Sequence, residues 1–149
     1  MSVVTIRALI IDDSRVMRNM VMNALKQSRL ATFEFTEAVD GADALTKFNP
    51  TAFDMCFVDW NMPNMTGVEF VKQARAGGTA FHIPMVMVTS EQTMAKIEEA
   101  LNQAGADSFV CKPFTPEDMR VKLEKLVNKV LKAKVPAEEK GGFFSGLFN

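Results

Sequence analysis

The chain has 149 residues, the usual size of one domain, with 48% apolar and 23% charged residues, which excludes a disordered polyelectrolyte or a fibrous sequence. A net charge of −1, from 17 basic and 18 acidic side chains, lacks the electrostatic footprint of nucleic-acid binding, so no nucleic-acid partner is expected. No apolar run approaches the roughly 20 residues of a membrane span, and the N-terminal MSVVTIRALIIDD has no basic segment leading into a long apolar core. A cytoplasmic protein without stable membrane association is expected.

Residues 7–11 (RALII) read as a strand, and Asp12 and Asp13 follow it. Ser14 caps a helix with Met17, Met20, Val21, Ala24 and Leu25 on one stripe. A second strand at 33–38 (FEFTEA) leads to a short helix capped by Asp40 and reaching Asn49, where Pro50 ends it. The third strand, 53–58 (FDMCFV), runs into Asp59, and residues 67–76 make the third helix. The fourth strand, 83–88 (IPMVMV), runs into Thr89. The helix after it spans 92–103, with Met94, Ile97 and Leu101 inward and Ala104-Gly105 closing it. The fifth strand, 108–111 (SFVC), precedes Lys112. Thr115-Pro116-Glu117-Asp118 opens the last helix with a cap, a proline at the first position and acids in the first turn. Its inward stripe is Met119, Leu123, Leu126, Val127 and Val130.

Most of these strands are too continuously apolar for a sheet with one wet face, and they alternate with helices. The fold class is therefore α/β, a parallel five-stranded sheet covered by helices on both sides. Cys56 and Cys111 lie in strand-like runs without CxxC spacing or a nearby histidine, and read as buried thiols. The apolar pattern fails after Lys132. Residues 1–132 form the domain, and 133–149 a flexible linker with an apolar end, FFSGLFN.

The chemistry collects where strands stop. Asp12-Asp13, Asp59, Thr89 and Lys112 each follow an apolar run, and in an open α/β sheet ligands bind outside the carboxyl ends of the strands. Each residue alone reads more readily as turn or cap chemistry, and their joint placement carries the argument. Three carboxylates brought together repel one another unless a cation intervenes. Oxygen ligands without histidine or thiolate favour Mg²⁺, and a centre with one divalent ion and one lysine among three carboxylates is neutral and suits a phosphoryl group.

This set, in this order across five βα units, resembles the receiver domain of two-component response regulators over roughly residues 4–132. DWNMPNMTG at 59–67 and GADSFVCKPFT at 105–115 resemble the chemotaxis, CheY-type, members. The resemblance implies a doubly wound (βα)5, flavodoxin-like sandwich with strand order 2-1-3-4-5. It makes Asp59 the nucleophile and phosphorylation site. Mg²⁺ would be held by Asp13, Asp59 and the Asn61 carbonyl, with Asp12 acting mainly through water. Lys112 and the Thr89 hydroxyl would neutralise the phosphoryl oxygens. Lys112-Pro113 is expected to be cis. Asn61 and Glu91 fall where the family tunes dephosphorylation, although loop polarity alone would also place them there. Thr89 and Phe109 match the family's switch pair. Phe109 lacks a tyrosine hydroxyl, so its ring is expected largely inward, and the plain alternative is a core aromatic.

The implied protein is a phosphoacceptor with slow self-dephosphorylation rather than an enzyme, and a monomer. Its implied partners are a histidine kinase of the chemotaxis CheA type, the flagellar motor switch protein and a phosphatase. A phosphorelay shuttle or phosphate sink would use the same site residues. The face of the last helix carrying Lys122, Lys125, Lys129 and Lys132 reads either as solvated surface or as a landing strip for an acidic partner. A haloacid-dehalogenase-type phosphatase is disfavoured because IIDDSR lacks that family's DxDxT. A flavodoxin-type FMN binder is disfavoured because the acidic pair would repel phosphate. A transcription regulator is disfavoured because only about 17 residues follow Lys132, too few to fold alone.

Phe143, Phe144, Leu147 and Phe148 would share one face of a helix that Gly141, Gly142 and Gly146 disfavour in isolation. The tail reads as a loose end, or as an anchor for a partner's groove, and less readily as a membrane contact or a segment folded back on the domain.

Overall fold

In the computed structural model, which describes residues 4–78, 83–90 and 94–135, strands and helices alternate through the chain. They are β1 (Thr5–Ile11), α1 (Arg15–Ser28), β2 (Thr32–Ala38), α2 (Gly41–Lys47), β3 (Met55–Asp59), α3 (Gly67–Ala76), β4 (Met85–Thr89), α4 (Met94–Glu99), β5 (Ser108–Cys111) and α5 (Pro116–Lys134). All strand pairs are parallel, in the order β2-β1-β3-β4-β5. This is the expected doubly wound, flavodoxin-like arrangement. Chain order reverses beside β1, so the cleft above β1 and β3 is the switch point at which such sheets bind ligands.

Alternate residues of the central strands supply two cores. Ile6, Ala8 and Ile10 of β1, with Phe57 and Val88, pack under α1 and α5 against Val21, Leu25, Met119, Leu123 and Val127. Leu9 and Ile11, with Cys56, Val58 and Met87, pack on the other side against Ala44, Phe70, Val71 and Ala104. The period of two with both faces apolar is why these strands read as unbroken apolar runs. Edge strand β2 is the exception: Phe33 and Phe35 stack at 5.7 Å between ring centroids, while Thr32, Glu34 and Thr36 face solvent.

Several boundaries differ from the sequence reading. α1 buries Arg18, Val21, Ala24, Leu25 and Ser28, and Met20, expected on the inward stripe, is 44% exposed. The helix is rotated so that Arg18 rather than Met20 meets the sheet. α2 stops at Lys47, before Asn49: Phe48 makes the last helical bond, its N–H to the Ala44 carbonyl at 2.7 Å, and its extended ψ of 123° turns the chain out of the helix. β3 and β4 begin two residues later than expected, although Phe53 and Ile83 still pack into the core from the preceding loops. α4 passes into a π-helical turn, Ala100–Ala104, which Gly105 ends at φ 90°. α5 continues to Lys134, past the expected end at Lys132, and the Lys134 ammonium binds Asp54 at 2.7 Å. Cys56 is fully buried, with its thiol pushed up by burial, whereas Cys111 is half-buried. Among the described residues no helix is long and apolar enough to cross a membrane. Glu91, the expected start of the fourth helix at 92, and the tail carrying Phe143, Phe144, Leu147 and Phe148 lie outside the described residues.

Candidate functional site

The sheet delivers its polar strand ends to one place. Asp12 follows β1 directly, Asp59 and Thr89 are the last residues of β3 and β4, and Lys112 follows β5. Asp12, Asp59 and Thr89 are buried, and Asp13 is exposed. Carboxylate oxygens of Asp12, Asp13 and Asp59 lie within 4.8 Å of one another. The Lys112 ammonium stands 2.8 Å from Asp59 Oδ1 and 3.8 Å from Asp12 Oδ2. It is anchored from behind, since the Lys112 N–H donates to the Thr89 carbonyl at 2.7 Å and extends the β4–β5 ladder by one bond. The Lys112-Pro113 bond is cis.

Local hydrogen bonds hold the acids. The Asp12 N–H donates to the Ala38 carbonyl at 3.2 Å, and Asp12 Oδ1 accepts the Ser14 N–H at 2.8 Å. Burial raises the Asp12 carboxyl to about 6, and the charges of Asp59 and Asp13 add to that rise, while the Ser14 N–H and Lys112 oppose it. Burial likewise raises Asp59, helped by Asp13 and opposed by the hydrogen bond and charge of Lys112 and by the Asn61 N–H. Two buried acids and an exposed one, with a single ammonium against them, form a pocket whose charge calls for a further cation. Among the described residues the cluster is three convergent carboxylates without sulfur or imidazole, which suits a hard divalent ion such as Mg²⁺ that takes oxygen ligands.

A family model described as "Response regulator receiver domain" matches residues 8–124. The chain belongs to the response regulator receiver family. Curated relatives include the chemotaxis protein CheY of Pseudomonas aeruginosa, 39% identical over 124 residues, which are 83% of this chain and 98% of that one. CheY1 of Helicobacter pylori is 39% identical over 119 residues, 79% of this chain and 94% of its own. Among solved structures, the chemotaxis protein CheY4 of Vibrio cholerae superposes with a TM-score of 0.70 at 35% identity, covering 85% of this chain and 99% of that one.

Asn61 is exposed at the rim of the pocket, and Trp60 is half-buried beside Asp59, against the core under α3. Phe109 was expected largely inward. Its ring is half-buried instead, packed on one side against that core and covered on the other by the Lys122 ammonium, 3.8 Å from the ring centroid. β5 is the edge strand, so a long side chain from α5 can reach around it.

Two residues bearing on the receiver's site escaped the sequence reading. Gly67 opens α3, and a Cβ there would lie 2.2 Å from the Asp59 carbonyl oxygen, so only glycine permits this contact between helix and strand end. Arg18 is buried, and its guanidinium donates to the Asp12 carbonyl at 2.8 Å. Its signal was present: Arg18, Val21 and Leu25 are spaced as one helical face, and a cation on an apolar face asks for a buried acceptor.

Proposed function

We propose that this receiver accepts a phosphoryl group from a histidine kinase on Asp59 and signals through phosphorylation-dependent protein binding. The observation that carries this reading is the 2.8 Å pairing of Lys112 with Asp59 inside a three-carboxylate pocket at the strand ends. An Asp59 carboxylate oxygen attacks phosphorus in line. The bond from phosphorus to the donor imidazole nitrogen breaks, that nitrogen keeps the electron pair, and an acyl phosphate forms. Asp13, Asp59 and the Asn61 carbonyl hold Mg²⁺, with Asp12 beside them, and the ion supplies charge neutralisation for the phosphoryl oxygens. Lys112 moves from its pairing with Asp59 to those oxygens, and the Thr89 hydroxyl turns toward them. Asn61 and Glu91 set water access. Self-dephosphorylation is slow in this reading.

The relatives named as chemotaxis proteins support a role in chemotaxis. In this reading the protein is a cytoplasmic monomer, with a CheA-type kinase as donor and the flagellar motor switch protein as target. Thr89 and Phe109 couple the site to the β5–α5 face and its lysines. The domain that carries this activity runs to the end of α5 at Lys134, and the sequence after it contacts a further partner, such as a phosphatase, through Phe143, Phe144, Leu147 and Phe148.

Incubation with acetyl phosphate or phosphoramidate and Mg²⁺ is expected to add one acid-stable, base-labile phosphoryl group and to change Trp60 fluorescence. Asp59→Asn is expected to abolish the labelling. Undiminished labelling of that variant overturns the assignment.

A further inference from the structure

Arg18 is the one arginine buried in the molecule's described part, and its environment is not that of a general stabilising ion pair. Its Nη1 donates to the Asp12 carbonyl at 2.8 Å, in a buried bond, and its Nε donates to Glu37 Oε1 at 2.8 Å, while the Glu37 side chain is 43% exposed. The buried end of the fork is thus directed at the backbone of the acidic pair. The Asp12 carbonyl belongs to the peptide unit that joins Asp12 to Asp13, and this unit is planar. Fixing its oxygen therefore fixes the direction in which the chain enters Asp13. The preceding N–H, donated to Ala38, and the Asp12 carboxylate, accepting from Ser14, fix the other side of the same residue. Glu37 is itself on β2, and its carbonyl accepts the Lys47 ammonium at 2.7 Å, so the guanidinium is held between the sheet edge and the acidic turn.

An apolar side chain of similar length would continue the stripe of Val21 and Leu25, and the exposure of Glu37 keeps its ion pair with Arg18 a modest contribution to stability. The energetic argument for an arginine here is weak, and the geometric one is specific. We infer that Arg18 is a positioning residue that orients the Asp12-Asp13 peptide so that the two carboxylates present a preformed divalent-cation site. This inference rests on the reading of the pocket as a Mg²⁺ and phosphoryl site. Partners behind the ligands of metal sites typically control affinity by 10–100-fold when removed.

The test is a calorimetric Mg²⁺ titration of the wild-type chain, Arg18→Met and Arg18→Lys, paired with urea unfolding in Mg²⁺-free buffer. Arg18→Met is expected to weaken Mg²⁺ binding by about 10-fold in the folded chain, with a urea midpoint lowered because the buried Asp12 carbonyl loses its donor. Arg18→Lys, whose single ammonium can still reach one acceptor, is expected to fall between. Acetyl phosphate labelling at saturating Mg²⁺ should recover in both variants, because the chemistry at Asp59 is untouched. A Mg²⁺ dissociation constant in Arg18→Met equal to that of wild type overturns the inference. Should Arg18→Met not fold, a wild-type constant in Arg18→Lys does the same. A wild-type chain that gives no Mg²⁺ heat overturns the reading of the pocket itself, and the inference with it.

Discussion

The Lys122 ammonium lies 3.8 Å from the centroid of the Phe109 ring, so a cation from α5 caps the aromatic face that β5 leaves uncovered. A cation over an aromatic face at an exposed position contributes about 0.5–1 kcal/mol. A double-mutant cycle of Lys122→Met and Phe109→Leu, read by urea unfolding, is expected to return a coupling of about that size. The coupling should shrink when the chain is phosphorylated or bound to beryllofluoride, since an inward swing of Phe109 removes the ring from Lys122. A coupling of zero in the resting protein would mean that the contact carries no energy.

Asp54 ties three segments at the end of the sheet remote from the acidic pocket. Its carboxylate accepts the Arg7 N–H at 2.8 Å and Arg7 Nε and Nη2 at 3.1 Å each, and it takes the Lys134 ammonium at 2.7 Å. Burial alone would raise this carboxyl, but the hydrogen bonds from Arg7 and Lys134 outweigh it and hold it below the usual carboxylate range. A depressed folded-state value contributes stability that is present above the unfolded value near 3.9 and is lost as pH falls through the folded value. Asp54→Asn is therefore expected to cost about 1 kcal/mol at pH 7, the low end for a charge-assisted bond because its partners are partly solvated. The difference from wild type should persist down to about pH 5, begin to shrink near the unfolded value of about 3.9 and close only as pH falls through the lower folded value, as urea midpoints across that range would register. The same variant should fray the last turn of α5 in hydrogen exchange.

Gly67 reports on the backbone at the end of β3, the strand that carries Asp59. A Cβ at this position would fall 2.2 Å from the Asp59 carbonyl oxygen and 2.9 Å from Met87 Cε, and the Gly67 N–H already donates to the Trp60 carbonyl at 2.9 Å. Met87 can move aside, but the carbonyl cannot without displacing Asp59. Gly67→Ala is expected to destabilise the fold by about 1–3 kcal/mol and to slow acetyl phosphate labelling as well. A variant that lost stability yet labelled at the wild-type rate would show that the displacement is absorbed by α3.

Local chemistry made much of this protein readable from its residues alone. The apolar runs and the polar residues that stop them are properties of neighbouring positions, so Asp12, Asp13, Asp59, Thr89 and Lys112 could each be placed at a strand end. Thr66 and Thr115 close capping boxes within three residues, so the starts of α3 and α5 were equally legible. What the residues could not supply were the relations that depend on packing between distant segments. The rotation of α1 was decided by the Asp12 carbonyl and by Glu37 on β2, which together draw Arg18 inward and leave Met20 in solvent. The end of α5 was decided by Asp54 reaching Lys134, where helical periodicity had already faded. The position of Phe109 was decided by a lysine that comes around an edge strand. A sequence encodes which groups prefer burial and which need partners, but a partner becomes specific only when the sheet order brings two remote segments within hydrogen-bonding distance.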